Sequence, residues 1–259
     1  MYQINFDSPV HVHFIGIGGI SMSGLAEVLL QEGFTISGSD SQRSELTRHL
    51  EEKGATVFYG QTADNIKPGI DVVVYTAAIH PDNAEFAAAR SAGIPMLTRA
   101  ELLGEIMRNY KTAIAVAGTH GKTTTTSMIS MILLEAQADP TISVGGILPE
   151  IGGNIRVGRS DLFLTEACEY TNSFLSFFPT VDVILNIEED HLDFFKDLAD
   201  IRHSFHRFAE LLPAHGLLVM KGDIKNIDEI TDGVNADLVT YKVSGEADYT
   251  ASDITYDRQ

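Results

Sequence analysis

Twice in this chain an apolar run breaks into a glycine-rich loop and then resumes with helical spacing. The first instance is "HVHFIGIGGISMSGLAEVLLQEG", residues 11–33; the second is "KTAIAVAGTHGKTTTTSMISMILLEAQ", residues 111–137. A strand that turns straight into a helix at glycines is where parallel α/β folds bind phosphates. Unpaired backbone N–H groups and the positive end of the helix dipole face one point there. Two such junctions, well separated along 259 residues, point to two α/β halves.

The remaining pattern agrees. Strands are predicted over 34–40, 55–60 and 71–79, with helices over 44–54 and 98–110. In the second half, strands are predicted over 161–165, 181–185 and 216–220, with a helix over 197–212. The strands are mostly apolar throughout, which predicts parallel sheets covered by helices on both faces. We place the domain boundary near Asn109. The last stretch, "GEADYTASDITYDRQ", alternates like a strand and stops without a cap, so the chain is expected to end inside a domain.

In the first loop, Gly16 and Gly18 occupy the first two glycine positions of a dinucleotide fingerprint. Gly19 follows, and Ser21 replaces the third Gly or Ala. Asp40, closing the next strand, is placed to reach a ribose hydroxyl. These residues suit a nicotinamide dinucleotide or another diphosphate such as a UDP-sugar, and a tight turn without a ligand would use the same glycines.

The second loop reads Gly118-Thr119-His120-Gly121-Lys122-Thr123-Thr124. The usual phosphate loop G-x-x-x-x-G-K-[ST] calls for glycine at position 116, where Val116 stands. Backbone amides of 119–123 can still cradle two phosphates, Lys122 can reach β and γ oxygens, and Thr123 can ligate Mg²⁺. A cation at a helix N-terminus opposes the dipole, so Lys122 is expected to meet a phosphate. Acidic and polar groups wait at other strand ends: Glu166 in "DLFLTEACEY", and Asn186, Glu188, Glu189, Asp190, His191 and Asp193 in "VDVILNIEEDHLD". His203 and His206 read as surface residues rather than a metal pair. Cys168 reads as a small packed residue, because no histidine is placed to activate it.

Acidic residues outnumber basic ones 36 to 18, a net charge of −18. That argues against nucleic acid and anionic membrane as partners. Any anionic ligand must be held locally, against the field of the whole chain. The single cysteine allows no intrachain disulfide, which fits a cytoplasmic protein. No signal peptide or apolar run of membrane-spanning length is present.

The segments "HFIGIGGISMSGLAEVL", "SGSD", "YTAAIHPDN", "TRAELLGEIMR", "AGTHGKTTTT", "EACEY…SFL" and "NIEEDHLD" together resemble the Mur ligases, the ATP-dependent amide ligases of peptidoglycan precursor synthesis. The shortened loop G-T-x-G-K-T is the mark of that family. The resemblance implies a Rossmann-like parallel-sheet domain, 1–109, followed by a P-loop-type α/β ATP-binding domain, 110–259, that is truncated. It implies that Gly16, Gly18, Gly19, Ser21, Asp40 and the turn Thr76, Ala77, Ala78 hold UDP-N-acetylmuramate. ATP would lie on Gly118–Thr124, with Lys122 on its β/γ-phosphates. Magnesium would be held by Thr123, Glu166 and His191, and Lys122, Glu166 and His191 would be catalytic. "GIGGIS" favours the member that adds L-alanine over the one that adds a preformed tripeptide. The implied chemistry is attack of the lactyl carboxylate on the γ-phosphorus, then attack of the alanine amine on the acyl phosphate. Adenine- and alanine-binding residues are expected beyond Gln259, so turnover by this chain alone is not expected. A nicotinamide oxidoreductase and a non-catalytic UDP-sugar-binding module remain as alternatives, and oligomeric state is open.

Overall fold

The structure, a computed structural model, describes residues 2–255. Five short strands, β1 (His11–Ile15), β2 (Thr35–Asp40), β3 (Thr56–Tyr59), β4 (Val72–Tyr75) and β5 (Met96–Thr98), form a parallel sheet ordered β3-β2-β1-β4-β5. Their connections carry helices α1 (Ile20–Gln31), α2 (Glu45–Glu52), α3 (Ala84–Ser91) and α4 (Arg99–Met107). The order reverses between β1 and β4, and ligands of open α/β sheets sit at that reversal, beyond the strands' carboxyl ends. Two predicted segments are there: the first glycine loop after β1, and the 76–79 turn after β4. They touch, since a Cβ at Gly16 would stand 3.1 Å from Thr76 Cγ2.

The strand predicted over 71–79 ends at Tyr75. The Thr76 carbonyl accepts from Ile79 N at 3.0 Å and closes a turn instead. Helix α3 and strand β5 had no apolar periodicity strong enough to predict them; Asn83 fixes α3 by accepting from the N–H groups of Glu85 and Phe86.

The second sheet has eight strands: β6 (Thr112–Ala117), β7 (Thr141–Leu148), β8 (Gly153–Arg156), β9 (Leu162–Ala167), β10 (Val181–Ile184), β11 (Leu217–Lys221), β12 (Asp237–Lys242) and β13 (Tyr249–Thr250). Their order is β13-β12-β11-β10-β6-β9-β7-β8. The connections carry α5 (Lys122–Glu135), α6 (Leu198–Ala209) and the single turn α7 (Asp228–Thr231). The sheet is mixed rather than parallel throughout, because β8 runs antiparallel to β7 at the edge. Neither strand was predicted: Gly145 and Gly146 interrupt β7, and Pro149 separates the pair. Of the final stretch expected to be a strand, only Tyr249–Thr250 pairs; the part beyond Thr255 lies outside the described residues.

β6 sits between β9 and β10, so the loop after it is flanked by the carboxyl ends of both. One hydrophobic core runs through both sheets, from Val12, Phe14 and Leu25 to Phe163, Phe174 and Phe205. Two glycines permit the close approach. A Cβ at Gly104 of α4 would overlap the Ser176 carbonyl, and one at Gly24 of α1 would overlap Ile155 of β8. Asn109 pins the N-terminal segment by accepting from Phe6 N at 3.0 Å and donating to the Ile4 carbonyl at 2.9 Å. Next to it the Tyr110 hydroxyl donates to Thr141 Oγ1 at 3.0 Å, and burial pushes this phenol up to about 12. Among the described residues no helix is long and apolar enough to cross a membrane.

Candidate functional site

Helix caps distinguish the two glycine-loop helices from the rest. Ser44, Asn83, Thr98 and Asp197 cap α2, α3, α4 and α6 with a side-chain oxygen. The cap positions of α1 and α5 are Gly19 and Gly121, and no side chain bonds their first-turn amides. The first N–H groups of a helix have no partner within it. Leaving them bare at these two ends alone, among helices of eight residues or more, suits an anion at each.

At the second loop, Gly118 and Gly121 take φ of +145° and +85°, which only glycine adopts at low cost. Asn186, just past β10, clamps the turn. Its Oδ1 accepts from His120 N and its Nδ2 donates to the His120 carbonyl, both at 2.8 Å, while its own carbonyl accepts from Thr119 N at 3.2 Å. The predicted cradle of amides 119–123 is therefore corrected. Thr119 and His120 spend theirs on Asn186, and the free donors belong to the start of α5 from Gly121 onward.

Thr123 and Glu166 come together as predicted: Thr123 Oγ1 donates to Glu166 Oε2 at 3.0 Å, and Gly145 N donates to Glu166 Oε1 at 2.6 Å. Two oxygen ligands beside bare helix amides fit a hard cation such as Mg²⁺, which takes its other ligands from water and phosphate. Among the described residues no three His, Cys, Asp or Glu side chains converge as a ready-made metal centre.

Lys122 is not an unpaired cation, contrary to the expectation from its helix position. Its ammonium donates to the Gly118 carbonyl at 2.6 Å, to the Thr119 carbonyl at 3.2 Å, and to both Glu169 oxygens at 2.9 and 3.1 Å. Glu169 is 2 % exposed. Sequence reasoning missed it because its partner lies 47 residues away; the signal was a second glutamate three residues after Glu166. His191 also lies beside Glu169, its Nε2 3.8 Å from Glu169 Oε1, and its ring is tilted against that of Tyr170 at 4.6 Å between centroids. It takes a left-handed φ of +52°, and its carbonyl accepts from Phe194 N and Phe195 N. Hydrogen bonding to Asp193 raises the Tyr170 phenol above its ordinary range. His203 is exposed as expected, whereas His206 is half-buried, with its Nδ1 on the Ile230 carbonyl and its Nε2 3.6 Å from Glu210 Oε1.

At the first loop, Gly16 N and Ile17 N both donate to the Ser39 carbonyl, and Gly18 N donates to Asp40 Oδ2 at 2.8 Å. Asp40 thus braces the loop itself. Ser21 sits in the first turn of α1, where its Oγ accepts from Arg99 Nη1 at 3.3 Å. A cleft of about 490 Å³ opens beside the Thr76–Ala77 turn and is also lined by Arg99, Cys168 and Tyr170. A smaller cavity of about 130 Å³ joins Ser21 and Arg99 to Gly145 and Glu166. Ala78 is exposed and lines neither. Cys168, expected to be packed, is exposed to this cleft; its surroundings still push the thiol above its usual range through desolvation.

Comparison with known proteins agrees with this arrangement. Residues 11–111 match the Mur ligase family, catalytic domain, and residues 116–259 match the Mur ligase middle domain. The chain is 64 % identical over 257 residues to the UDP-N-acetylmuramate--L-alanine ligase of Agathobacter rectalis, covering 99 % of the chain and 56 % of that relative. It is 61 % identical to the ligase of the same name from Lachnospira eligens, again over 56 % of the relative. The chain therefore spans about half the length of the curated relatives it matches. Among solved structures, it is similar to UDP-N-acetylmuramate-alanine ligase from Thermotoga maritima, with a TM-score of 0.74 at 29 % identity over 93 % of this chain and 54 % of that one. It is also similar to the UDP-N-acetylmuramate:L-alanyl-gamma-D-glutamyl-meso-diaminopimelate ligase of Neisseria meningitides, with a TM-score of 0.78 at 29 % identity over 90 % of this chain and 78 % of that one. Two glycine loops that each open a bare helix end, and family matches over both halves, lead to one conclusion: the chain belongs to the Mur ligase family.

Proposed function

We propose that this chain provides the UDP-sugar- and ATP-binding parts of a cytoplasmic amide ligase of peptidoglycan precursor synthesis, one that joins L-alanine to UDP-N-acetylmuramate. The observation that carries the reading is the pair of bare helix ends, α1 and α5, joined through Glu166, which shares a cavity with Ser21 of α1 and accepts from Thr123 of α5. A nicotinamide oxidoreductase would use the first of these and leave the second, with Lys122, Thr123 and Glu166, without a purpose. The alanine-ligase relatives support L-alanine as the amine.

In this reading the UDP diphosphate lies on Gly16, Gly18, Gly19 and Ser21, with Asp40 and the turn of Thr76, Ala77 and Ala78 nearby. The triphosphate of ATP lies along the loop from Gly118 to Thr124, held by the free amides from Gly121 onward and by Lys122 and Thr123, while Thr119 and His120 shape the turn through Asn186. The lactyl carboxylate attacks the γ-phosphorus and expels ADP, and the alanine amine attacks the resulting acyl phosphate, losing a proton and expelling inorganic phosphate. Both reactants of the first step are anions, so bringing them together requires fixed positive charge. Lys122 supplies it by leaving Glu169 for the β/γ-phosphates. Thr123 and Glu166 would hold one magnesium ion and His191 a second, which would supply positive charge against the phosphate oxygens. Glu169 remains beside His191 and holds that ring in place.

Calorimetry tests the reading. UDP-N-acetylmuramate and Mg-ATP are expected to bind this chain at separate, non-competing sites. Binding of NADH in competition with the UDP-sugar, with no response to Mg-ATP, would overturn it.

A further inference from the structure

Three arginines are half-buried among the described residues. Arg156 pairs with Asp139 and Arg202 with Glu229. Among the described residues Arg99 has no carboxylate within ion-pair distance; its guanidinium donates to the neutral Ser21 hydroxyl, and the Cys168 thiol lies near it. The chain carries twice as many acidic as basic side chains, so a nearby carboxylate is not scarce. Desolvating a cation without a counter-charge is unfavourable, and burial pulls the Arg99 guanidinium below its ordinary value.

Its position narrows what the missing anion is. Arg99 is the first residue of α4, held by the Thr98–Glu101 capping box. From there it borders both cavities, that beside the Thr76–Ala77 turn and that reaching Gly145 and Glu166. Its Nη1 lies at the first turn of α1, the end that has no side-chain cap. A planar guanidinium with several fixed donors is suited to the paired oxygens of a phosphate or a carboxylate.

We propose that Arg99 is a substrate-binding residue that clamps the anionic part of the sugar nucleotide where it crosses from the first loop toward Glu166. This rests on the UDP-sugar reading above. The anion is either the diphosphate or the lactyl carboxylate, and one guanidinium serves either.

The test compares wild type, Arg99→Lys and Arg99→Gln by calorimetry with UDP-N-acetylmuramate, UDP-N-acetylglucosamine, UDP and uridine, with thermal melts to confirm folding. Arg99→Gln is expected to weaken the anionic ligand roughly ten- to a hundred-fold, and Arg99→Lys less, while uridine is unaffected. Loss shared by all three diphosphates assigns the guanidinium to the diphosphate; loss confined to UDP-N-acetylmuramate assigns it to the carboxylate. Wild-type affinity of a folded Arg99→Gln for all ligands, or an equal loss with uridine, would overturn the proposal. Failure of wild type to bind any UDP compound would instead sink the underlying reading. A second measurement uses Cys168, the only cysteine. UDP-N-acetylmuramate is expected to slow its alkylation by iodoacetamide at mildly alkaline pH, and unchanged labelling under saturating ligand would contradict passage of the sugar nucleotide beside Arg99.

Discussion

Beneath the first glycine loop every buried polar side chain of the central strands has a partner, whereas beneath the second one does not. On β1, His13 shares Nδ1 with Ser37 Oγ at 2.8 Å and Nε2 with Glu85 Oε1 at 2.7 Å, and Ser39 donates to the other Glu85 oxygen at 2.5 Å. Ser39 in turn offers its carbonyl to Gly16 and Ile17. The loop is thus anchored from below, and Asp40 braces it from the side. On β10, Asp182 is fully buried between Ala115 and Leu218, with neither oxygen bonded. Its neighbouring loop keeps its cation on Glu169. In the proposed reading the first site is shaped before a ligand arrives, whereas the second exchanges the Lys122–Glu169 pair for an external one. A preformed site loses less on binding than one that must first give up its own contacts.

The largest expected effect is at Lys122. Lys122→Ala removes the charge that the second loop transfers to phosphate, so Mg-ATP affinity should fall about a hundred-fold by calorimetry. UDP-N-acetylmuramate affinity should stay unchanged. Retained nucleotide binding would mean that the ion pair with Glu169 is purely structural.

Asp182 comes next. Burial without a partner raises its carboxyl well above the usual range, so the folded chain keeps a proton that the unfolded chain releases above about pH 3.9. Below that pH both states are protonated and the group has no effect. As pH rises, the unfolded state is favoured by about 1.4 kcal/mol per unit until the folded group also ionises. Urea unfolding of Asp182→Asn across mildly acidic to neutral pH should lack this slope, and Asp182→Leu should be more stable than wild type by about 1–3 kcal/mol near neutrality. Parallel pH profiles for wild type and Asp182→Asn would show that Asp182 has a partner after all.

Glu169→Gln should have the smallest effect. Without its counter-ion, Lys122 loses a charge-assisted bond in the free chain, a destabilisation of about 1–2 kcal/mol. A nucleotide triphosphate restores a partner, so the rise in melting temperature on adding Mg-ATP should be larger in the variant than in wild type. An equal or smaller rise would count against the exchange of partners.

Both loops were legible in the sequence because their demands fall on the backbone. Positive φ at Gly16, Gly118 and Gly121 leaves a visible residue type at a visible junction. The pairing of Thr123 with Glu166 followed from strand ends meeting in a parallel sheet. What escaped notice depends on contacts between distant segments. Glu169 looked like any glutamate at a strand end until Lys122 was set against it, and Arg99 like any helix-start arginine until no described carboxylate proved to lie within ion-pair distance of it. Strands β7 and β8 escaped for a local reason, since Gly145, Gly146 and Pro149 read as breakers while the sheet edge tolerates them. The 71–79 strand was overrun because Ala77, Ala78 and Ile79 carry an apolar run on past the end of the strand at Tyr75.

The independence of the two sites is tested most directly by titrating UDP-N-acetylmuramate and Mg-ATP, each in the presence of the other, into wild type and Gly18→Val. A Cβ at Gly18 would stand 2.8 Å from Asp40 Oδ2 and 2.9 Å from Thr47 Cγ2, so the first loop cannot keep its shape in the variant. Wild type should bind both ligands without competition, and folded Gly18→Val should lose the UDP-sugar while binding Mg-ATP as wild type does. Competition between the two ligands in wild type, or equal loss of both in the variant, would contradict two separately built phosphate sites.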